Sequence, residues 1–184
     1  MVDFLKNMTI IEIIGQVVGF VGMFLGIASF QAKSRIGILT LQLSGALCWL
    51  IHFLLIGSLT GALMNAVAVL RNTVYSLRKN NTGVIKYLIP IFFSLLFTAA
   101  CTLSYENVFS LFPLVACYVG TVAFYLTNLK ALRLTALTMS LLWIVYDFIE
   151  FSVSGVLTEA FTIISIIIAL IRFNNPKRKG ENNA

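Results

Sequence analysis

Residues 49–66 read WLIHFLLIGSLTGALMNA, and residues 143–160 read WIVYDFIEFSVSGVLTEA. Trp49, Ser58, Thr60, Gly61, Leu63, Asn65 and Ala66 recur, at one spacing, as Trp143, Ser152, Ser154, Gly155, Leu157, Glu159 and Ala160. Each copy lies in apolar sequence long enough to span a bilayer. A repeat of this kind predicts a duplicated helical bundle in a membrane, an arrangement that places a site on the axis between the halves.

Composition points the same way. Hydrophobic residues make up 59% of the chain and charged ones 11%, with the apolar residues gathered in long runs that no soluble core needs. A hydrocarbon layer of ~30 Å takes ~20 helical residues. Seven runs fit: about 9–30, 36–56, 61–77, 84–104, 107–127, 134–152 and 155–173. They are continuous rather than alternating, and lipid cannot satisfy exposed amides, so the expectation is all-α, with no β-barrel and no soluble domain. The first run is too long for a signal peptide and its exit lacks a small-residue cleavage site, so it reads as a true first span.

Positive residues are retained on the cytoplasmic side of span ends. Lys33 and Arg35 follow span 1; Arg78, Lys79 and Lys86 lie between spans 3 and 4; Lys130 and Arg133 follow span 5; Arg172, Lys177, Arg178 and Lys179 follow span 7. The opposite connections, around Gly57 to Gly61, Tyr105 to Asn107 and Ser152 to Gly155, carry neither Lys nor Arg, which leaves Lys6 alone on that face. The N-terminus is therefore expected outside and the C-terminus inside. The formal charge of +6 follows from this asymmetry and from attraction to anionic lipids, and calls for no nucleic-acid partner.

One helix separates spans 1–3 from spans 5–7, and an odd linker restores the original direction. The expected plan is 3+1+3, two parallel three-helix repeats about an axis near the membrane normal. Residues 1–79 form the first repeat, 80–106 the linker helix and 107–173 the second repeat; the polar tail 174–184 reads as disordered. Arg35 and Arg133 both follow the first helix of their triplets, although a gap of about four residues is needed after them.

Two sets of residues carry a resemblance: Trp49, His52, Phe53, Leu54, Leu55, Gly57, Gly61, Ala62, Asn65 and Ala66, then Trp143, Tyr146, Asp147, Ser152, Gly155 and Glu159. On them the chain resembles the YgjV family of uncharacterised bacterial inner-membrane proteins over most of its length. More distantly it is similar to the 3+1+3 SWEET sugar transporters and PnuC vitamin transporters, in which a Trp of the second helix and an Asn of the third helix of each repeat line a central pocket. That likeness implies a pocket lined by Trp49 with Asn65 and by Trp143 with Glu159. The sequence departs from it in having no Pro-Gln pair at the start of either second helix, and in Glu159 standing where the second Asn would be.

The residues argue for a site on their own account. On span 6, Trp143, Tyr146 or Asp147, and Glu150 recur at helical spacing and form one polar and aromatic face on an apolar helix. Span 2 offers Trp49, His52 and Ile56 on the matching face. A carboxylate near the bilayer middle costs about 2.5–3.5 kcal/mol on insertion scales, so it faces a wet cavity or a partner. The substrate-binding candidates are Trp49, His52, Asn65, Trp143, Tyr146, Asp147 and Glu159. Each has a structural alternative: core packing for the tryptophans and His52, an outer-end polar residue for Asn65 and Glu159, a solvated vestibule for Asp147 and Glu150. Arg71 either snorkels to the cytoplasm or pairs with a carboxylate.

The remaining motifs are structural. Gly15, Gly19, Gly22 and Gly26 make a small-residue stripe that packs either within the repeat or between subunits of a homo-oligomer. Pro90 and Pro113 are positioned to kink spans 4 and 5. Cys48, Cys101 and Cys117 show no metal-ligand spacing, and a single histidine makes no multi-histidine centre, so no cofactor or metal is expected. Three function classes follow: a facilitator or proton-coupled carrier for a small polar solute, a non-transporting receptor, scaffold or complex subunit, and an intramembrane enzyme. The last lacks HExxH, a nucleophile elbow and a Ser-His pair at informative spacing, so the expectation is not an enzyme. Expected partners are membrane lipids and that solute.

Overall fold

The computed structural model describes residues 8–29, 35–77, 85–123 and 129–174. Among these there are seven α-helices, one 3-10 turn and no strand: α1 Ile10–Ser29, α2 Arg35–Leu55, α3 Leu59–Leu77, α4 Ile85–Leu103, the 3-10 turn Val108–Ser110, α5 Leu111–Ala123, α6 Leu129–Ile149 and α7 Val153–Asn174. The residues expected to form the disordered tail lie outside this set beyond Asn174, as do Lys33, Arg78, Lys79 and the Lys177 to Lys179 cluster.

Helix starts follow local capping chemistry rather than the edges of apolar runs. Thr9 and Glu12 make a reciprocal capping box at α1, with Thr9 N–H donating to Glu12 Oε2 at 2.7 Å and Glu12 N–H to Thr9 Oγ1 at 3.3 Å. Ser58 Oγ accepts from Gly61 N–H at 3.4 Å, and Ser152 Oγ from Gly155 N–H at 3.1 Å. This sets the starts of α3 and α7 two residues before the glycines expected to open them. Two residues past the end of each preceding helix stands a residue with positive φ, Gly57 at 82° and Phe151 at 54°, so the phenylalanine adopts a left-handed backbone that glycine takes without a steric penalty. Pro113 sits in the first turn of α5, where no intrahelical donor is lost, and Pro90 lies inside α4.

Neighbouring helices pack in the order α1·α2·α3·α5·α6·α7, and α7 returns to α1, while α4 packs against α3 and α5. The tightest interface, α1 with α2, uses the glycine stripe. A methyl at Gly15 would meet Ile56 Cγ2 at 3.0 Å, and one at Gly22 would meet Cys48 Cβ at 3.1 Å. Of the two roles open for the stripe, packing inside the chain is the one observed for Gly15, Gly19 and Gly22; a methyl at Gly26 meets nothing within 4 Å. One core cluster joins α3, α4 and α5 through Met64, Val67, Phe93, Phe97, Cys101 and Cys117, and a second joins Phe53, Ala62 and Tyr146.

The bundle is apolar outside and polar inside. Ile10, Phe24, Phe92, Leu95, Phe161 and Ile168 are exposed, whereas Gln16, His52, Arg71 and Asp147 are buried. Among the described residues, only α1, over Ile10–Ala28, is long and apolar enough by itself to cross a membrane; the other apolar stretches are shorter, such as Tyr87–Leu103 and Val153–Ile168. The reason is visible in the helices: Asn65 and Arg71 interrupt α3, Arg133 and Asp147 interrupt α6, and Glu159 interrupts α7. Inward-facing polar residues lower hydropathy without shortening the helix.

Hydrogen bonds gather four segments at one end of the bundle. Gln16 near the start of α1 bonds Phe151 O and Ser154; Tyr146 and Ser58 join the α6–α7 and α2–α3 turns; and Thr60 donates to Ser104 O at the end of α4. These are the connections poor in Lys and Arg.

Candidate functional site

At this end α2 reaches across to the α6–α7 turn and α6 to the α2–α3 turn. His52 on α2 places Nε2 2.7 Å from Ser152 Oγ, while Tyr146 on α6 places its hydroxyl 2.7 Å from Ser58 Oγ and accepts from Gly61 N–H at 2.9 Å. His52 and Tyr146 occupy matching positions in the two quoted stretches, and so do Ser58 and Ser152. A second crossed pair lies beside the first, with Ser154 Oγ donating to Gln16 Oε1 at 3.2 Å and Thr60 Oγ1 to Ser110 Oγ at 3.4 Å. Thr60 and Ser154 are also matched. His52 Nδ1 lies 2.8 Å from Gly15 O. A carbonyl can only accept, so in the neutral ring Nδ1 carries the hydrogen and Nε2 accepts the single proton of Ser152.

Below this layer the aromatic rings run continuously. Trp49 stands 6.3 Å from Phe53, Phe53 5.9 Å from Trp143 and Trp143 5.9 Å from Tyr146. They border a cavity of about 200 Å³ lined by Trp49, Asn65, Arg71, Trp143, Asp147 and Glu159 among others. That is smaller than the ~300–1,000 Å³ of drug-sized sites and suits a small solute.

Five of the seven candidates, Trp49, Asn65, Trp143, Asp147 and Glu159, share this cavity. His52 and Tyr146 do not line it. They are fully buried, at 0% and 1% exposure, and hold the two halves together. Asp147 is not in a solvated vestibule either: it is 2% exposed, and its Oδ1 finds no hydrogen-bond partner among the described residues. Gly155 explains how the carboxylate fits, since a methyl there would stand 2.5 Å from Asp147 Cγ; Phe53, at the matching position in the first half, packs on Gly61 in the same way. Asn65 donates from Nδ2 to Gly61 O at 2.9 Å, and the Ser140 hydroxyl is the hydrogen-bonding neighbour of Glu159.

Arg71 does not snorkel. It is 6% exposed and bridges to α5, donating to Cys117 O and Thr121 Oγ1 at 3.1 Å each, to Asn72 Oδ1 at 3.2 Å, and lying 5.3 Å from the Phe97 ring centroid. Sequence reasoning missed Arg71 and Phe53 as parts of the cavity wall. The signal for Phe53 was its alignment with Asp147. For Arg71 it was a charged residue inside an apolar run, six residues or roughly 9 Å along α3 from Asn65.

A helical bundle that turns its apolar side chains outward and buries its charged and amide groups around a cavity is an integral membrane protein in design. The family comparison agrees: the model of the bacterial inner membrane protein family Imp-YgjV matches residues 13–177, and the chain belongs to that family. No curated protein and no solved structure matches it, so the likeness to SWEET and PnuC transporters rests on the motif positions alone.

Proposed function

We propose that this protein is a transporter, a facilitator or proton-coupled carrier for a small polar solute. In this reading two parallel three-helix repeats, α1–α3 and α5–α7, are joined by α4, all seven helices cross the inner membrane, and the cavity between the repeats is the substrate site. The observation that carries it is the convergence of matched side chains from both halves, Trp49 with Trp143 and Asn65 with Glu159, on one cavity. The crossed bonds His52–Ser152 and Tyr146–Ser58 support the same symmetry, because they join matched positions. So does the packing order, in which α1·α2, α2·α3 and α3·α5 have the counterparts α5·α6, α6·α7 and α7·α1.

Counterflow into proteoliposomes, run with a panel of radiolabelled small polar solutes, tests it. At least one solute should exchange faster than in protein-free vesicles, and Trp49→Ala and Trp143→Ala should each weaken that exchange about tenfold, since each removes a stacking face worth on the order of 1–2 kcal/mol. A panel with no protein-dependent exchange sinks transport and leaves a receptor or scaffold.

A further inference from the structure

The two acidic residues of the cavity belong to one wall. Asp147 on α6 and Glu159 on α7 both come from the second half, and the matching positions of the first half hold Phe53 and Asn65, which are neutral. Trp49, Phe53 and Trp143 supply three aromatic faces around the same space. Arg71 is the one cationic side chain among the lining residues. With both carboxylates ionised against one guanidinium, the cavity is one positive charge short of neutral, a charge that a bound cation supplies. Asp147 Oδ1 is a buried acceptor with no protein donor among the described residues, and the Ser152 hydroxyl bonds His52. A buried acceptor without a donor marks a place for a ligand to supply one.

We infer that the cavity recognises a small organic ammonium cation, held by Asp147 and Glu159 on one side and by the faces of Trp49, Phe53 and Trp143 on the other. A metal ion fits less well. Hard cations take six or more oxygen ligands, and no group of three metal-binding side chains occurs among the described residues. Aromatic faces, in contrast, attract alkylammonium groups through the negative charge of the ring. This inference rests on the reading of the cavity as a substrate site, and it fixes the class of substrate as a positively charged amine.

Trp49 and Trp143 are the only tryptophans in the chain, so intrinsic fluorescence reports on the cavity directly. The full-length protein in lipid nanodiscs should show a saturable fluorescence change with choline or ethanolamine, and none with the uncharged carbon isostere of choline. Asp147→Asn keeps the shape of the side chain, and it should weaken ammonium binding about tenfold or more, the size expected for losing one charge-assisted contact. Glu159→Gln carries the same test from α7 if Asp147→Asn does not fold. No saturable response to either amine, or an equal response to the isostere, overturns the inference. Protein-dependent uptake of neutral solutes without ammonium binding also overturns it and leaves transport standing. Ammonium binding without uptake upholds it and removes transport.

Discussion

Single side chains in this bundle divide between holding the halves together and lining the space between them. Tyr146 belongs to the first group. Tyr146→Phe leaves Ser58 Oγ and Gly61 N–H short of a buried partner, and it should lower unfolding stability in detergent by about 1–3 kcal/mol, read from thermal melts. An unchanged melting temperature would show that the crossed bonds are idle. Glu159 belongs to the second group. It stands where its half-mate Asn65 cannot titrate, so Glu159→Gln should flatten the pH profile of solute uptake in liposomes while downhill exchange persists. An unchanged profile rejects proton coupling through this residue and leaves a facilitator. Trp49, Asn65, Trp143 and Glu159 were singled out in the sequence by their recurrence at one spacing, and all four line the cavity. The roles of His52 and Tyr146 were not legible there. Period and spacing placed both on the correct face, but a helical face does not say whether a side chain stops in the cavity or crosses to the opposite turn, as these do. That Asp147 is buried rather than in a solvated vestibule was not legible for a related reason: its burial depends on Gly155 of the next helix, a contact that appears only when the α6–α7 turn closes.

At the level of helices the apolar runs gave the number and order correctly, and the capping side chains set the ends. Ser58 and Ser152 start α3 and α7 two residues early, and α6 begins at Leu129, ahead of the apolar run, because Lys130 and Arg133 extend the helix while lowering its hydropathy. The glycine stripe of α1 was legible as a close-packing device, but its partner was not, since spacing alone cannot tell an intrachain neighbour from a second subunit. Its positions are unequal. A methyl at Gly19 would run into Ser154 Oγ and stand 2.8 Å from His52 Nδ1, whereas one at Gly26 meets nothing within 4 Å. Gly19→Ala should therefore destabilise by about 1–3 kcal/mol, as overpacking does. Gly26→Ala should be neutral or gain up to about 1 kcal/mol from helix propensity. Thermal melts of the two variants, compared with the parent, check the contrast; equal losses would mean that α1 does not pack on α2 and α7 as described.

The whole molecule is polarised from end to end. The turns at Gly57 and Phe151, the α4–α5 connection and the start of α1 are tied together by hydrogen bonds at one end, and the sequence places Lys and Arg in the other connections. Positive residues near span ends stay cytoplasmic, so the hydrogen-bonded end should face outward. The Tyr146–Ser58 and His52–Ser152 bonds hold the α2–α3 and α6–α7 turns at the same end, as the proposed parallel repeats require and an inverted repeat would not allow. Orientation can be tested separately from symmetry. In a background with Cys48, Cys101 and Cys117 replaced, a single cysteine at Asn107, exposed beside the 3-10 turn, should react with a membrane-impermeant maleimide in intact cells. A cysteine at Asn81, between α3 and α4, should react only after permeabilisation. Labelling of Asn81→Cys and not Asn107→Cys in intact cells would turn the molecule over in the membrane while leaving the paired halves intact. Labelling of both would mean that α4 does not cross, and with it would fall the odd linker that makes the two halves parallel.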